Sequence, residues 1–252
     1  MAPEPDFPST IWGEIRPGPG GSAEADARAL AVLAERYGRG IVAYLRAASR
    51  SAGRPGDDAR DLAQDFFVWM IETGFLKKAD PERGRFRAFL KTALRHYAAD
   101  AERRRGAERR GGGRVFVPLE ALAGGADDDE GGGPRADPAD GAALSPDAAL
   151  DAAWRADLVR RAIALVEADL RAEGRDVVFA LFREYFLDPG DDADYRALGA
   201  RHGLSPAEVS NRLQHAKALY RARLKSLVLD TVRTAEDLEE ELLFLFGRRG
   251  AS

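Results

Sequence analysis

The stretch DYRALGARHGLSPAEVSNRLQHAKALYRARL, residues 194–224, carries the sharpest local pattern in the chain. Tyr195, Leu198 and Ala200 give its first segment an apolar face, and Gly203 stands where a helix ends in left-handed geometry. Ser205-Pro206-Ala207-Glu208 reads as a capping box with proline at the first helical position. Val209, Leu213, Ala216 and Tyr220 then recur at intervals of four, three and four, the buried stripe of an amphipathic helix. Ser210, Asn211, Arg212, Gln214, His215 and Lys217 are left pointing outward. Those types suit base edges and phosphates, Arg or Lys for guanine and Asn or Gln for adenine. Two short helices with a turn between them match a helix-turn-helix whose second helix enters the major groove. An ordinary helical hairpin with a solvated polar face has the same pattern, so this stretch alone leaves both readings open.

Working outward, helical periodicity recurs on both sides. Upstream lie helices at about 147–172 and 176–187, and downstream a stretch alternating acids with Leu238, Leu242, Leu243 and Phe246 packs on the same domain. Further upstream, a helix runs from an N-cap at Ser22 to about Ser49, broken at Gly38, and ends at Gly53-Arg54-Pro55-Gly56. A second covers about 57–72 and stops at Gly74. Asp80-Pro81-Glu82 opens a further helical region, which leads into a long basic helix from Phe86 to about Arg105. Residues 111–146 are different: Gly124-Gly125, Asp127-Asp128-Asp129-Glu130 and Gly131-Gly132-Gly133 combine low hydrophobicity with high charge, which cannot offset the entropy of folding. The expected architecture is all-α: an N-terminal arm (1–21), a helical domain (22–110), a disordered acidic linker (111–146) and a helix-turn-helix domain (147–252). No repeat at a fixed period is present.

Composition agrees. Ala, Leu, Arg and Glu dominate while β-branched residues are sparse. The 252 residues are 45% hydrophobic and 32% charged, and there is no cysteine, which excludes disulfides, thiolate zinc sites and cysteine nucleophiles. No apolar run approaches the ~18 residues of a spanning helix, and the acidic, Pro-rich start is not a signal peptide; a cytoplasmic protein is expected. The net charge of −4 hides an asymmetry. Residues 83–114 carry eleven Lys/Arg against three acids, residues 115–153 nine acids against one Arg, and residues 192–225 seven basic against three acidic.

In the basic helix, Phe86, Phe89, Leu90, Ala93, Leu94 and Tyr97 follow core spacing. Arg87, Lys91 and Arg95, four apart, are expected on one exposed face that Arg103, Arg104 and Arg105 extend. Cations interleaved with aromatic rings can hold phosphates and stack unpaired bases; a solvated basic face is the alternative. The preceding helix has an apolar side of Leu62, Phe66, Trp69 and Met70. Asp58, Asp61, Asp65 and Glu72 form an acidic strip with Gln64 nearby. Such a strip repels DNA, and it either is merely solvated or steers a basic protein partner.

Asp57–Phe67 (DDARDLAQDFF), Asp80–Leu94 (DPERGRFRAFLKTAL) and the Ser205–Leu224 helix resemble, in order and separation, extracytoplasmic-function sigma factors of bacterial RNA polymerase, members of the sigma-70 superfamily with regions 2 and 4. Phe7-Pro8-Ser9-Thr10-Ile11-Trp12 resembles the opening of one branch of that family. The resemblance implies that 22–110 is a region 2-like domain and 147–252 a region 4-like one. It implies that Asp58, Asp61, Gln64, Asp65 and Phe66 grip the β′ clamp helices of core polymerase. Arg85, Arg87, Lys91, Arg95, His96, Arg103 and Arg104 would contact the minus-ten promoter element. Ser205, Ser210, Asn211, Arg212, Gln214, His215, Lys217 and Arg221 would read the minus-thirty-five element. The chain departs from the family in a longer, more acidic linker and in Ser210-Asn211, where a basic residue is frequent. Promoter elements about two and a half turns apart lie ~85 Å from each other, within reach of a linker that spans ~115 Å when stretched.

No catalytic residue, metal or cofactor is expected, because polymerase supplies the active site. Core polymerase and promoter DNA are the expected partners, with an anti-sigma protein as a candidate; the chain is expected to be a monomer that does not touch membranes. One rival is a helix-turn-helix regulator that never binds polymerase, which leaves the acidic strip without a role. Another is a metal-dependent nuclease using Asp127, Asp128, Asp129 and Glu130, but a Gly-rich run does not fix carboxylates as a metal site requires. A third is a helical adaptor. His96, His202 and His215, the only histidines, form no ligand cluster. The linker's negative charge is a candidate screen for the basic module.

Overall fold

A computed structural model describes residues 23–54, 58–78, 85–109, 144–190, 194–232 and 234–247, and these residues form helices and turns with no strand. The elements are α1 (Ala23–Ser51), α2 (Ala59–Glu72), a 3-10 turn (Phe75–Lys78), α3 (Phe86–Arg109), α4 (Pro146–Ala172) and α5 (Asp176–Phe182). A π-helical turn (Arg183–Leu187) extends α5, and α6 (Tyr195–His202), α7 (Pro206–Leu229) and α8 (Ala235–Phe246) follow. The arm at 1–21, the Asp80-Pro81-Glu82 start and the linker up to 143 lie outside the described residues, as do Asp127–Glu130.

Two expectations about elements need correction. The break at Gly38 does not occur: α1 runs unbroken through Gly38 and Gly40. A glycine in a helix interior costs about 1 kcal/mol, but Leu33, Tyr37, Ile41 and Leu45, four apart and buried, outweigh it. The helix expected over 176–187 changes hydrogen-bond pattern at Arg183, where the backbone widens into the π turn.

By packing, the described residues fall into two units: Tyr37–Lys78 with Arg87–Ala152, and the described parts of Met1–Arg36, Ala79–Phe86 and Ala153–Ser252. The first unit has an aromatic centre. Phe66 meets Trp69 at 6.0 Å and Tyr97 edge-on at 5.4 Å, Trp69 meets Phe75 at 5.2 Å, and Phe75 meets Phe89 at 5.1 Å. These rings come from α2, the 3-10 turn and α3, and their spacing lies in the range where aromatic pairs gain beyond area burial. Gly40 of α1 faces α4, where a Cβ would make ordinary van der Waals contact with Leu150, 3.6 Å from its Cγ.

In the second unit, Val166, Leu170, Val178, Phe182 and Ala216 form one apolar cluster, and Leu181, Leu198, Val209 and Leu213 a second. Asp169 of α4 binds Arg223 of α7 through two bonds of 2.5 and 2.7 Å. On α4, Trp154 packs against Phe244 of α8 at 6.4 Å, while the Arg155 guanidinium sits 5.1 Å from that ring.

Candidate nucleic-acid interface

The helix-turn-helix is built as its residues dictate. Asp194 caps α6 by accepting from the backbone N–H groups of Arg196 and Ala197 at 2.8 and 2.7 Å. Gly203 closes α6 in the left-handed region at φ 67°, ψ 35°. Ser205 then caps α7: its Oγ accepts from the Glu208 N–H at 3.3 Å, and the Glu208 carboxylate accepts from the Ser205 N–H at 2.8 Å. The bond from the Ser205 N–H, with a second donated by the Ser205 hydroxyl at 2.8 Å, holds the Glu208 carboxyl below its ordinary value.

Val209, Leu213 and Ala216 are buried and Tyr220 is half-buried, and the stripe continues through Leu224, Leu227 and Val228. On the other side of α7, Asn211, Gln214, His215, Lys217 and Arg221 are exposed, with Ser210 and Arg212 half-buried. Ser205 is exposed at the cap. The helix thus offers amide and cationic side chains to solvent over three turns. Arg175 Nη1 stands 3.0 Å from His215 Nε2, and Lys217 Nζ lies 6.0 Å from the Phe186 ring. His202 is half-buried, with Nε2 at 2.9 Å from Glu184 Oε1.

The turn depends on a residue that sequence reasoning missed. Leu198 is buried as expected, but its buried neighbour is Gly199, and Ala200 is exposed. A Cβ on Gly199 would stand 2.4 Å from the Leu204 carbonyl oxygen. Leu204 N–H donates to the Gly199 carbonyl at 2.8 Å, so the chain doubles back directly over the glycine. A glycine two-thirds of the way along a short helix is its only sequence signal.

The acidic strip of α2 stands as expected. Asp58, Asp61, Gln64, Asp65 and Glu72 are exposed, while Ala59, Ala63, Trp69 and Met70 are buried and Leu62 is half-buried. Phe66, grouped with the strip by resemblance, is fully buried in the aromatic centre. Val68 and Ile71, 50% and 48% exposed, place apolar surface beside the carboxylates.

The basic helix is where the structure departs most from expectation. Phe86, Leu90, Ala93, Leu94 and Tyr97 are buried and Phe89 half-buried, but the cations between them do not form an exposed face. Arg87 binds Asp151 at 2.5 Å and Lys91 binds the other oxygen of the same carboxylate at 2.8 Å. The side chains of Arg87, Lys91 and Asp151 are only 10%, 18% and 14% exposed. Arg95, 61% exposed, binds Asp147 at 2.6 Å. Burial, with Asp147 adding to it and Arg95 opposing, pushes the nearby Tyr44 hydroxyl up to about 12. The reason is complementary spacing: Arg87, Lys91 and Arg95 recur every four residues on α3, and Asp147 and Asp151 stand four apart on α4. That match was present in the sequence, but nothing local says which helices meet.

The remaining cations of this set differ among themselves. Arg103 pairs with Asp100 one turn back, and Arg104 is exposed. His96 is half-buried, its ring 6.1 Å from Phe75. Arg85, in the second unit, meets α8: its guanidinium lies 3.5 Å from Asp237 and 3.4 Å from the buried Glu241, and it also pairs with Glu240.

Among the described residues no group of three or more His, Asp or Glu could hold a metal ion, and no helix is long and apolar enough to cross a membrane. Residues 33–108, which run from the middle of α1 to the end of α3, match the family model for sigma-70 region 2. Neither a curated protein nor a solved structure matches the chain.

Proposed function

We propose, from the match of residues 33–108 to sigma-70 region 2, that this chain binds core RNA polymerase and directs promoter recognition as a two-domain sigma factor of the extracytoplasmic-function type. One observation carries the reading. The region 2 match covers α1 to α3, and within it α2 buries Phe66, Trp69 and Met70 while turning Asp61 and Asp65 outward. That presents an anionic helix face, flanked by exposed Val68 and Ile71, for a basic partner to dock on. Charge there steers the encounter and the apolar flank supplies contact area.

On this reading, Asp58, Asp61, Gln64 and Asp65 meet the clamp helices of the β′ subunit, and Phe66 supports them from the core. Arg87, Lys91, Arg95, His96, Arg103 and Arg104 contact the minus-ten element, as does Arg85 of the other unit. The exposed side of α7 reads the minus-thirty-five element in the major groove, with Ser205 and Ser210 near the backbone and Asn211, Arg212, Gln214, His215, Lys217 and Arg221 available to bases and phosphates. The region 4-like assignment rests on the capped helix-turn-helix geometry of α6 and α7. The chain acts as a cytoplasmic monomer without cofactor, and polymerase carries out the chemistry.

Retention of the chain on immobilised core polymerase tests the reading. The wild type is expected to be retained. Asp61→Lys/Asp65→Lys is expected to weaken retention by about tenfold or more, since a close charge pair across an interface contributes about 1.5 kcal/mol or more. A chain that binds duplex DNA but is never retained would instead be a helix-turn-helix regulator that works without polymerase.

A further inference from the structure

Resting on that assignment of α3 as a nucleic-acid surface, we propose that the first turns of α4 form an intramolecular latch. In it the carboxylates of Asp147 and Asp151 occupy Arg87, Lys91 and Arg95 in place of phosphates, and hold the free protein in a state of low affinity for DNA.

The geometry is that of a phosphate mimic. Asp151 receives Arg87 on one oxygen at 2.5 Å and Lys91 on the other at 2.8 Å, as two cations straddle one phosphodiester. Asp147, one turn earlier, receives Arg95 at 2.6 Å. Three cations repeating every four residues therefore meet two carboxylates repeating every four residues, in register. Charge-assisted bonds of this length are the strong ones. They also close the site physically. With Arg87 at 10% and Lys91 at 18% exposure, both paired cations are largely shielded from a phosphate in solution. Five charges that would be +3 on an open face are reduced to +1. All five residues lie in one packing unit.

A stitch that serves only to hold helices together makes a different prediction from a latch. Removing the carboxylates of a mere stitch lowers stability and leaves DNA affinity alone. Removing those of a latch raises DNA affinity. Salt distinguishes them further, because each phosphate neutralised on a single strand adds about 0.7 to the slope of log affinity against log salt. Three released cations should therefore steepen the slope by about 2.

The experiment uses the full chain without polymerase and a short fluorescein-labelled single-stranded oligonucleotide of mixed sequence, with anisotropy read over a salt series. Asp147→Asn/Asp151→Asn should bind about tenfold tighter at low salt, with the steeper slope. Asp147→Asn alone acts on the exposed Arg95 pair, so folding is little disturbed, and it should give a smaller rise in the same direction. Circular dichroism melting confirms that each variant is folded. Arg87→Ala/Lys91→Ala/Arg95→Ala in the Asn/Asn background should abolish the gain. Unchanged affinity in the folded Asn variants overturns the latch; the minus-ten assignment then stands if the triple alanine change in the wild-type chain weakens binding. Tighter binding that survives the triple alanine change overturns both, because the gain would then not run through these cations.

Discussion

Gly199 shows how much of the helix-turn-helix rests on one missing methyl group. The Leu204 carbonyl oxygen occupies the space a Cβ would take, at 2.4 Å, and that oxygen belongs to backbone held by the Gly203 turn and the Ser205 cap. It cannot swing aside as a flexible side chain would. Gly199→Ala is therefore expected to destabilise the second unit by about 2 kcal/mol, read as a lower midpoint in thermal or urea unfolding, with Gly190→Ala as the unstrained control because a Cβ there meets nothing. Tyr44 and Tyr97 supply a pH signature. Burial raises both hydroxyls from 10.0 to about 12, with Asp147 and Asp65 respectively adding to the shift. A group whose folded value is raised favours the protonated form in the fold, so its contribution to stability is complete below pH 10 and is lost as pH climbs toward 12. Alkaline titration should show tyrosinate absorbance from these two rings only above pH 10 and together with loss of stability; ordinary titration near 10 in the folded chain contradicts the packing around Phe66. Capping at Ser205 and the left-handed Gly203 were legible from residue type alone, because their physics is local. Gly199 was not, because what it needs is set by backbone five residues away that sequence periodicity does not weigh.

At the level of the elements, α7 and α3 read almost equally well as amphipathic helices, yet they end in opposite states. Each buries its apolar stripe where the spacing requires. The difference lies in what meets the polar side. Among the described residues, the outward amides and cations of α7 are mostly exposed, whereas Arg87 and Lys91 of α3 are largely buried and ion-paired with Asp151. Period and capping fix which residues share a face; they are silent about which helix that face meets, and the pairing of α3 with the start of α4 is a contact across about 60 residues of chain. The same limit explains Gly38, where local propensity argued for a break and the buried Leu33, Tyr37, Ile41 and Leu45 ran the helix through. For α7 the separation of roles is testable. Lys217→Ala should weaken binding to all duplex sequences alike and lower the salt slope by about 1. Asn211→Ala or Gln214→Ala should cost about 1–3 kcal/mol at one base position and relax preference there. Binding to a randomised duplex pool, followed by sequencing, separates the two patterns; equal, sequence-independent losses from all three would mean that α7 touches only the backbone.

For the whole molecule, the charge asymmetry along the chain is the feature that composition alone conceals. Within residues 33–108, α2 presents carboxylates and α3 carries cations, and this is the stretch that matches sigma-70 region 2. The all-α fold and the positions of most helices followed from period and punctuation. The division into packing units did not, since Ala23–Arg36 and the first seven residues of α4 group with segments remote from them in sequence. A sigma factor needs all of these parts at once, whereas a regulator that works alone has no use for the anionic face of α2. The most direct measurement is run-off transcription by purified core polymerase on genomic DNA from the chain's own source, with and without the full chain, followed by mapping of the transcript starts. Discrete new start sites that require the chain, and that fade with Asp61→Lys/Asp65→Lys, are the predicted result. A transcript pattern identical in the presence and absence of the chain, with protein that is folded and binds DNA, would contradict the account.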